Sequence, residues 1–432
     1  MLIYTPQITK RVQYVSKLIF ETVCMIEVKL TDDLDHFEAC QGPKINYSNQ
    51  KIKDELFIKP FGLLEEKGIG NKEIELKEWK KLPIFFKTTE EEIPFDIFSA
   101  TFYLVSRYEE YLPHIKDHYN RFTAKESLAY KANFLERPLV NLWIKECQKI
   151  IESKYPTFSF PKKTFSYTST IDIDNAYLFL EKGIVRTAAS FIKAIFQNNK
   201  QQLQFMKDVL LGKQADPYDT FEYQLKINQQ YKIDVIYFVL LADYGINDKN
   251  CLVHSRKFQL LIKHLSDYSR IGIHPSFSSN LNSDTLQIEV RRLEKIINEE
   301  VKLSRQHFLK LDIPKTYRNL IDLSIEHDYT LGYASHPGFR ASICTPYFFY
   351  DLEQETVTSL KLHPFAVMDA TFRYYLMLSP NESLKCIEKI INEVKAVDGH
   401  FISLWHNETW SDYGQWKDWK TVYERMLEII IR

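Results

Sequence analysis

None of the six cysteines, Cys24, Cys40, Cys147, Cys251, Cys344 and Cys386, stands in a CxxC pair. A thiolate zinc site and a disulfide framework are therefore not expected, and the chain reads as one whose thiols stay reduced. No apolar run approaches the roughly 18–20 residues that a membrane span needs. The opening MLIYTPQITKRVQYV lacks the charged, apolar and small-residue regions of a secretory leader. A cytoplasmic location is the expectation, with loose peripheral attachment to a membrane assembly left open. Excess charge is missing too: a net charge of −1 argues against a nucleic-acid footprint over the whole chain. There is no internal repeat and no low-complexity tract. Residues 1–158 hold neither a Gly-rich phosphate loop nor a catalytic constellation.

What is present is ordinary globular composition, 45% hydrophobic and 26% charged over 432 residues, which suits about two domains. The 26 Tyr and 29 Phe supply core rings before they supply sugar-binding surfaces. Residues 1–60 alternate strand-like pieces, Cys24 to Leu30 and Glu55 to Ile58, with polar loops. Apolar spacing predicts a helix from Phe95 to Tyr111 and another over 135–154. The breakers around Pro156 and Pro161 place a boundary near residue 158. Residues 1–158 are then a smaller α+β accessory domain. Its Glu109, Glu110 and Arg107 form an ion-paired helix face by default, and its expected role is to pack on the second domain and shape one wall of a cleft.

Over 159–432 the pattern becomes strands alternating with helices. Strands are predicted at 165–173, 235–241, 271–273, a short piece within 301–308, one near 329–333, 363–368 and 401–405. Helices are predicted at 186–197, 219–231, 255–266, 285–299, 314–326, 381–397 and 417–431. About seven β/α units over roughly 270 residues favour a (β/α) barrel of seven or eight units, with an open doubly wound sheet as the alternative.

The most telling residues are Asp172 and Asp174, which end an alternating run beginning at Phe165. Residues two apart in a strand face the same side, and two carboxylates sharing that space require a cation, a proton or solvent between them. The bland alternative is a solvated turn with one carboxylate capping a helix. Other strand ends carry matching groups: His274; Arg305 and His307; His336 and Arg340; Asp369; and His406. Carboxylate with imidazole suits zinc or a similar divalent ion. A nearby second carboxylate can act as general base, and a histidine across the site as general acid, which is the outfit for metal-assisted hydrolysis of an amide or ester.

These residues resemble the polysaccharide deacetylase superfamily, whose members have a distorted β/α barrel and remove acetyl groups from N-acetylated sugars. Two aspartates ending strand one and LWH at 404–406 match its motifs. GIHPS at 272–276 keeps the first histidine of its metal motif, but Ser278 replaces the second. RQHFL at 305–309 keeps its arginine and has His307 in place of a proline. The runs FDIF (95–98), SRYEEY (106–111), DID (172–174), GIHPS, RQHFL and GFR (338–340) are similar to those of a divergent bacterial branch with an added N-terminal domain. The resemblance implies Asp172 as base, Asp174 and His274 as metal ligands and His406 as acid. With Ser278 unable to serve, His307 is the candidate third ligand. Asp369 is read as orienting His406 or as a helix cap. Arg305 and Arg340 are each read either as a buried arginine, with Arg305 gripping Asp172 through two bonds, or as a clamp on an anionic sugar. The resemblance favours the first role for Arg305. Arg340 and His336 are assigned to substrate binding. Trp405 and Trp410 belong to a tryptophan cluster that either stacks on sugar or packs in the core. The implied ligand is a carbohydrate. The alternatives are an inactive barrel that binds glycan or a partner, and a glycosyltransferase holding a metal–nucleotide on Asp172 and Asp174.

Overall fold

The computed structural model describes residues 1–432. The first part opens with a parallel four-stranded sheet of β1 (Leu2–Tyr4), β2 (Lys29–Thr31), β3 (Lys44–Tyr47) and β4 (Leu56–Ile58), in the order β2-β1-β3-β4. A hairpin follows, β5 (Lys77–Trp79) with β6 (Leu82–Ile84). The predicted strand at Cys24 to Leu30 is corrected. Helix Lys10–Lys17 runs on into a wider helical turn, Leu18–Val23, and only Lys29–Thr31 pairs. A short apolar run does not by itself distinguish the two conformations.

Helix Ile97–Val105 is buried along its whole length and is started by Asp96, whose carboxylate accepts from the Ser99 amide. It stops earlier than spacing suggests, because Arg107 takes a left-handed conformation and a short 3-10 turn, Tyr108–Glu110, follows. Helix Leu139–Lys154 closes the first part.

The second part is a nine-stranded sheet in the order β12-β13-β11-β10-β9-β8-β7-β15-β14. Its strands are β7 (Ser166–Ile173), β8 (Asp234–Val239), β9 (Arg270–Ile273), β10 (Leu303–Ser304), β11 (His327–Asp328), β12 (Tyr347–Asp351), β13 (Thr356–Leu362), β14 (Val367–Met368) and β15 (His400–His406). All neighbours are parallel except the β12–β13 hairpin. The helices predicted between strands are present. That before β15, Pro380–Lys395, begins with a capping box of Ser379 and Glu382 and has proline in its first turn.

Two predicted strands shrink to two residues each, at 303–304 and 367–368, the one expected near 329–333 is replaced by a two-residue strand just before it, His327–Asp328, and the β12–β13 hairpin and helix Lys200–Leu210 are additional. The hydrogen-bonded ladder is also not a closed ring, since β12 and β14 are its two ends. It nevertheless curls around an inner core. Phe238 of β8, Leu303 of β10, Met368 of β14 and Leu404 of β15 all belong to one buried cluster with Phe365. Phe365 donates its amide to Leu331 O at 3.3 Å, linking the chain before β14 to that after β11. Gly272 is required inside this curl, because a Cβ there would lie 2.6 Å from the Phe238 ring. The largest buried cluster is continuous across residue 158. It includes Val12, Phe102 and Trp143 on one side and Ile171, Tyr347 and Trp405 on the other.

Candidate active site at the strand ends

The carboxyl ends of β7, β9, β10 and β15 deliver their polar residues to one cavity of about 180 Å³, lined by Asp172, Asp174, His274, His307 and His406, with Met368 and Ala370 from the end of β14. Pairing register accounts for part of this. His406 lies directly opposite Asp172 on the adjacent strand, so both side chains rise on the same face.

Asp174 is the hub. Its carboxylate oxygens lie 3.1 Å from His274 Nε2, 3.4 Å from His307 Nε2 and 3.8 Å from His406 Nε2. Each imidazole is oriented from behind. His274 Nδ1 donates to the Arg305 carbonyl at 2.6 Å. His307 Nδ1 donates to Asp248 at 2.9 Å. His406 Nδ1 donates to Asp369 at 2.7 Å, and the His406 amide donates to the same carboxylate. Fixing Nδ1–H on an acceptor turns the Nε2 lone pair toward Asp174, the arrangement found behind metal-binding histidines. One ligand atom each from Asp174, His274 and His307 all lie within 4.8 Å of one another. Asp174 Oδ1 is buried and has no hydrogen-bond partner, so the donor set and its unmet acceptor suit a cation.

The electrostatics follow from burial opposed by neighbouring charge. Burial favours a protonated Asp174, but His307 and His274 outweigh it and hold the carboxyl well below its usual range. Burial depresses His307, yet Asp174 and Asp248 push it up to about 9. Burial depresses His406, and Asp369, then Asp174 and Asp172, hold it well above the ordinary imidazole value.

Asp172 is buried beneath this group. Arg305 Nη1 donates to Asp172 Oδ1 at 3.2 Å and to Thr170 Oγ1 at 2.6 Å, so the expected two-pronged grip is a single, shared bond. Arg305 is itself buried between the rings of Phe238 and Phe365, 4.9 and 5.3 Å from their centroids. It is a structural cation under the carboxylate and does not line the cavity.

Four expected substrate-binding residues are not brought to the cavity. Arg340 is buried in a two-bond pair with Glu110. His336 sits on Ser335 and against Tyr130. Trp405 alternates out of the site between inward-facing Leu404 and His406, and is buried against Trp410 and Tyr423. Trp410 packs on the same tyrosine. The tryptophans are core.

Three residues of the site went unread. Asp248, on the loop after β8, accepts from His307 and from the Phe277 amide. Glu408, two residues past His406, lines the cavity, and burial raises its carboxyl to about 7. Arg121 reaches the cavity from the first part of the chain, with its guanidinium on Asp117 and the Phe308 carbonyl. The only available signal was the acidic, Gly- and Asn-containing composition of the Asp248 loop, ADYGINDKN. Phe308, beside His307, has φ of 60°, the kind of backbone strain that accumulates at working sites.

Among known proteins, residues 1–156 match a family described as a family of unknown function (DUF7033). No curated protein matches the chain. Solved structures are similar to about three fifths of the chain. A protein of Mycobacterium smegmatis provisionally named a polysaccharide deacetylase is 12% identical with a TM-score of 0.39, covering 63% of this chain and 85% of that one. The PuuE allantoinase is 9% identical with a TM-score of 0.38, covering 61% and 83%. A CE4 family pseudoenzyme of Bacillus anthracis is 11% identical with a TM-score of 0.32, covering 62% and 61%. At such identities and scores they say nothing of the chemistry here, which rests on this chain's own side chains.

Proposed function

We propose that the chain is a metal-dependent hydrolase that removes an acyl group, acetyl in the simplest case, from an N- or O-acylated sugar or glycan precursor. One observation carries the reading: Asp172, the Asp174–His274–His307 group and His406, held from behind by Asp369, open onto one cavity. Asp174, His274 and His307 would hold a divalent cation, zinc being one that such donors suit. When bound, it supplies Lewis-acid polarisation and acidifies water.

Asp172, anchored through Oδ1, keeps Oδ2 to take a proton from the attacking water. The water oxygen bonds to the acyl carbon as the C–N or C–O bond to the sugar breaks. His406, kept protonated by Asp369, donates its Nε2 proton to the departing nitrogen or oxygen. The cavity is smaller than the roughly 300–1,000 Å³ of sites that engulf a drug-sized ligand. It suits the reacting acyl end, with the sugar lying outside beside the exposed Tyr374. Acetate release from a panel of N- and O-acetylated sugars, with Asp172→Asn and His406→Ala as controls, tests the proposal. Release by neither the protein nor its metal-reconstituted form would sink it.

A second reading, a non-catalytic barrel that binds glycan, is favoured by Ser278. Its hydroxyl lies on Ser276 at 2.9 Å and near Asp248, not on Asp174, so the set implied by the resemblance is incomplete unless His307 completes it. Glycan binding without metal or acetate release is the outcome that selects this reading.

A further inference from the structure

Helix Ile184–Phe196 lies in the crossover between β7 and β8 and shows its apolar side to solvent. Ile184, Val185, Ile192, Ile195 and Phe196 are 89, 82, 54, 61 and 86% exposed. At 3.6 residues per turn, these five with the exposed Ala188 and Ala189 occupy one unbroken arc of about 140°. The opposite edge of the helix is the attached one: Ala194 is buried with Phe179, and with Met206 and Val209 of the following helix, Lys200–Leu210. The helix is thus held by a narrow apolar edge, Ala194 and Phe191, while its wider apolar stripe faces solvent, where a normal surface helix turns that stripe to the core. The apolar surface extends to the neighbouring loop, where Tyr244 and Ile246 are 62 and 89% exposed. That loop is fixed to the helix by Arg186, which donates to the Lys249 and Asn250 carbonyls at 2.7 Å and lies over Tyr244.

Charge identifies what covers this face. Arg186 and Lys193 border the arc. Over residues 183–213 the basic side chains Arg186, Lys193, Lys200, Lys207 and Lys213 stand against the single acid Asp208. This is a local net charge of +4, or +3 when Asp243, Asp248 and Lys249 of the adjoining loop are included, in a chain whose total is −1. An antiparallel two-fold pairing of this helix with its copy would set the basic border against itself. An anionic bilayer surface satisfies both the apolar arc and its basic flank. We propose that helix Ile184–Phe196, with the Tyr244–Ile246 loop, seats this protein on an anionic membrane surface. The helix lies in the interface plane and does not span. This attachment goes beyond the hydrolase reading and does not depend on it.

The test is co-sedimentation of the full-length chain with phosphatidylcholine vesicles, with and without about a third of phosphatidylglycerol. The wild type is expected to sediment with the anionic vesicles, to ignore the neutral ones and to be released by high salt. The double variant Ile192→Asp, Phe196→Asp alters only exposed positions, so its thermal melt is expected to match the wild type while its partitioning falls at least about tenfold. Wild-type protein that ignores anionic vesicles, or a folded double variant that binds like wild type, overturns the proposal. So does a dimer, seen by sedimentation equilibrium without lipid, that the double variant dissolves: the face then belongs to a second copy of the chain.

Discussion

Arg340 and Glu110, distant in sequence, form a fully buried pair, with Nε to Oε1 at 2.8 Å and Nη2 to Oε2 at 2.6 Å. Arg107 joins them, donating to Glu110 at 2.8 Å and to the Arg340 carbonyl. The pair fastens the first part of the chain to the segment after β11, and through Arg107 it accounts for the early end of helix Ile97–Val105.

Removing one partner leaves a buried charge uncompensated, which costs about 3–5 kcal/mol. Glu110→Gln is therefore expected to lower the unfolding free energy by that amount in urea titration. The acid side follows from the same pair. Burial would raise the Glu110 carboxyl, but Arg340 and Arg107 bring it down to about 2, against an ordinary value of about 4.3. A depressed carboxylate contributes stability above its unfolded value and loses it as pH falls through the folded one. Wild type should weaken between about pH 4.5 and 2, and Glu110→Gln should show a shallower acid slope. Equal slopes would show that the pair is not the acid-labile element.

Metal retention depends on His307 if it completes the set with Asp174 and His274. Purified wild type is expected to carry about one equivalent of divalent metal per chain by elemental analysis, and His307→Ala to lose most of it. Ser278→Ala should retain it, because the serine hydroxyl faces Asp248 and Ser276. Full occupancy in His307→Ala would remove it from the ligand set.

The alkaline limb of activity should belong to His406. Its proton is held by Asp369, so activity requiring that proton persists until pH rises past the elevated value. Asp369→Asn removes the charge that raises it. The limb should then move to lower pH, with kcat falling more than KM rises, roughly 10²-fold at pH 8. An unmoved limb would assign it to another group. The effect should exceed that of a lost packing contact, because Asp369 also accepts from the Ala370 amide and the Thr409 hydroxyl and so holds the ring in place.

Much of the site was legible because strand parity and strand ends are written in sequence. Asp172 and Asp174 alternate with buried Ile171 and Ile173, and His274, Asp369 and His406 each follow an apolar strand. Parity also explains the misplaced tryptophan: with Leu404 and His406 turned inward, Trp405 has to turn out. What was not legible lies on loops, where no period tells which way a side chain points. Asp248 comes from the loop after β8, Arg121 from an irregular turn before residue 124, and Glu408 from the turn after β15. Arg340 was misread for a different reason. Its partner Glu110 is 230 residues away in sequence, and only packing of the two parts reveals that its charge is already met. The strands at 303–304 and 367–368 are shorter than expected because a buried apolar run outlasts the ladder that defines a strand.

The loop residue Asp248 makes the sharpest separation between a metal centre and an inert hydrogen-bonded cluster. It touches none of the cavity chemistry directly. Its carboxylate receives the His307 Nδ1 proton at 2.9 Å and the Phe277 amide at 2.9 Å. In a metal centre such a carboxylate fixes the ring and strengthens the imidazole as a donor, and its loss costs about 10–100-fold in metal affinity. Asp248→Asn keeps the size and can still accept from Phe277, so the loop should hold. In chelator the melt should fall, because a charge that raises His307 is gone, and the variant should bind metal about 10–100-fold more weakly than wild type by competition with a chromogenic chelator. If the cluster is inert, the fall in chelator is the same but the metal response vanishes: neither protein competes for metal, and added metal changes neither melt.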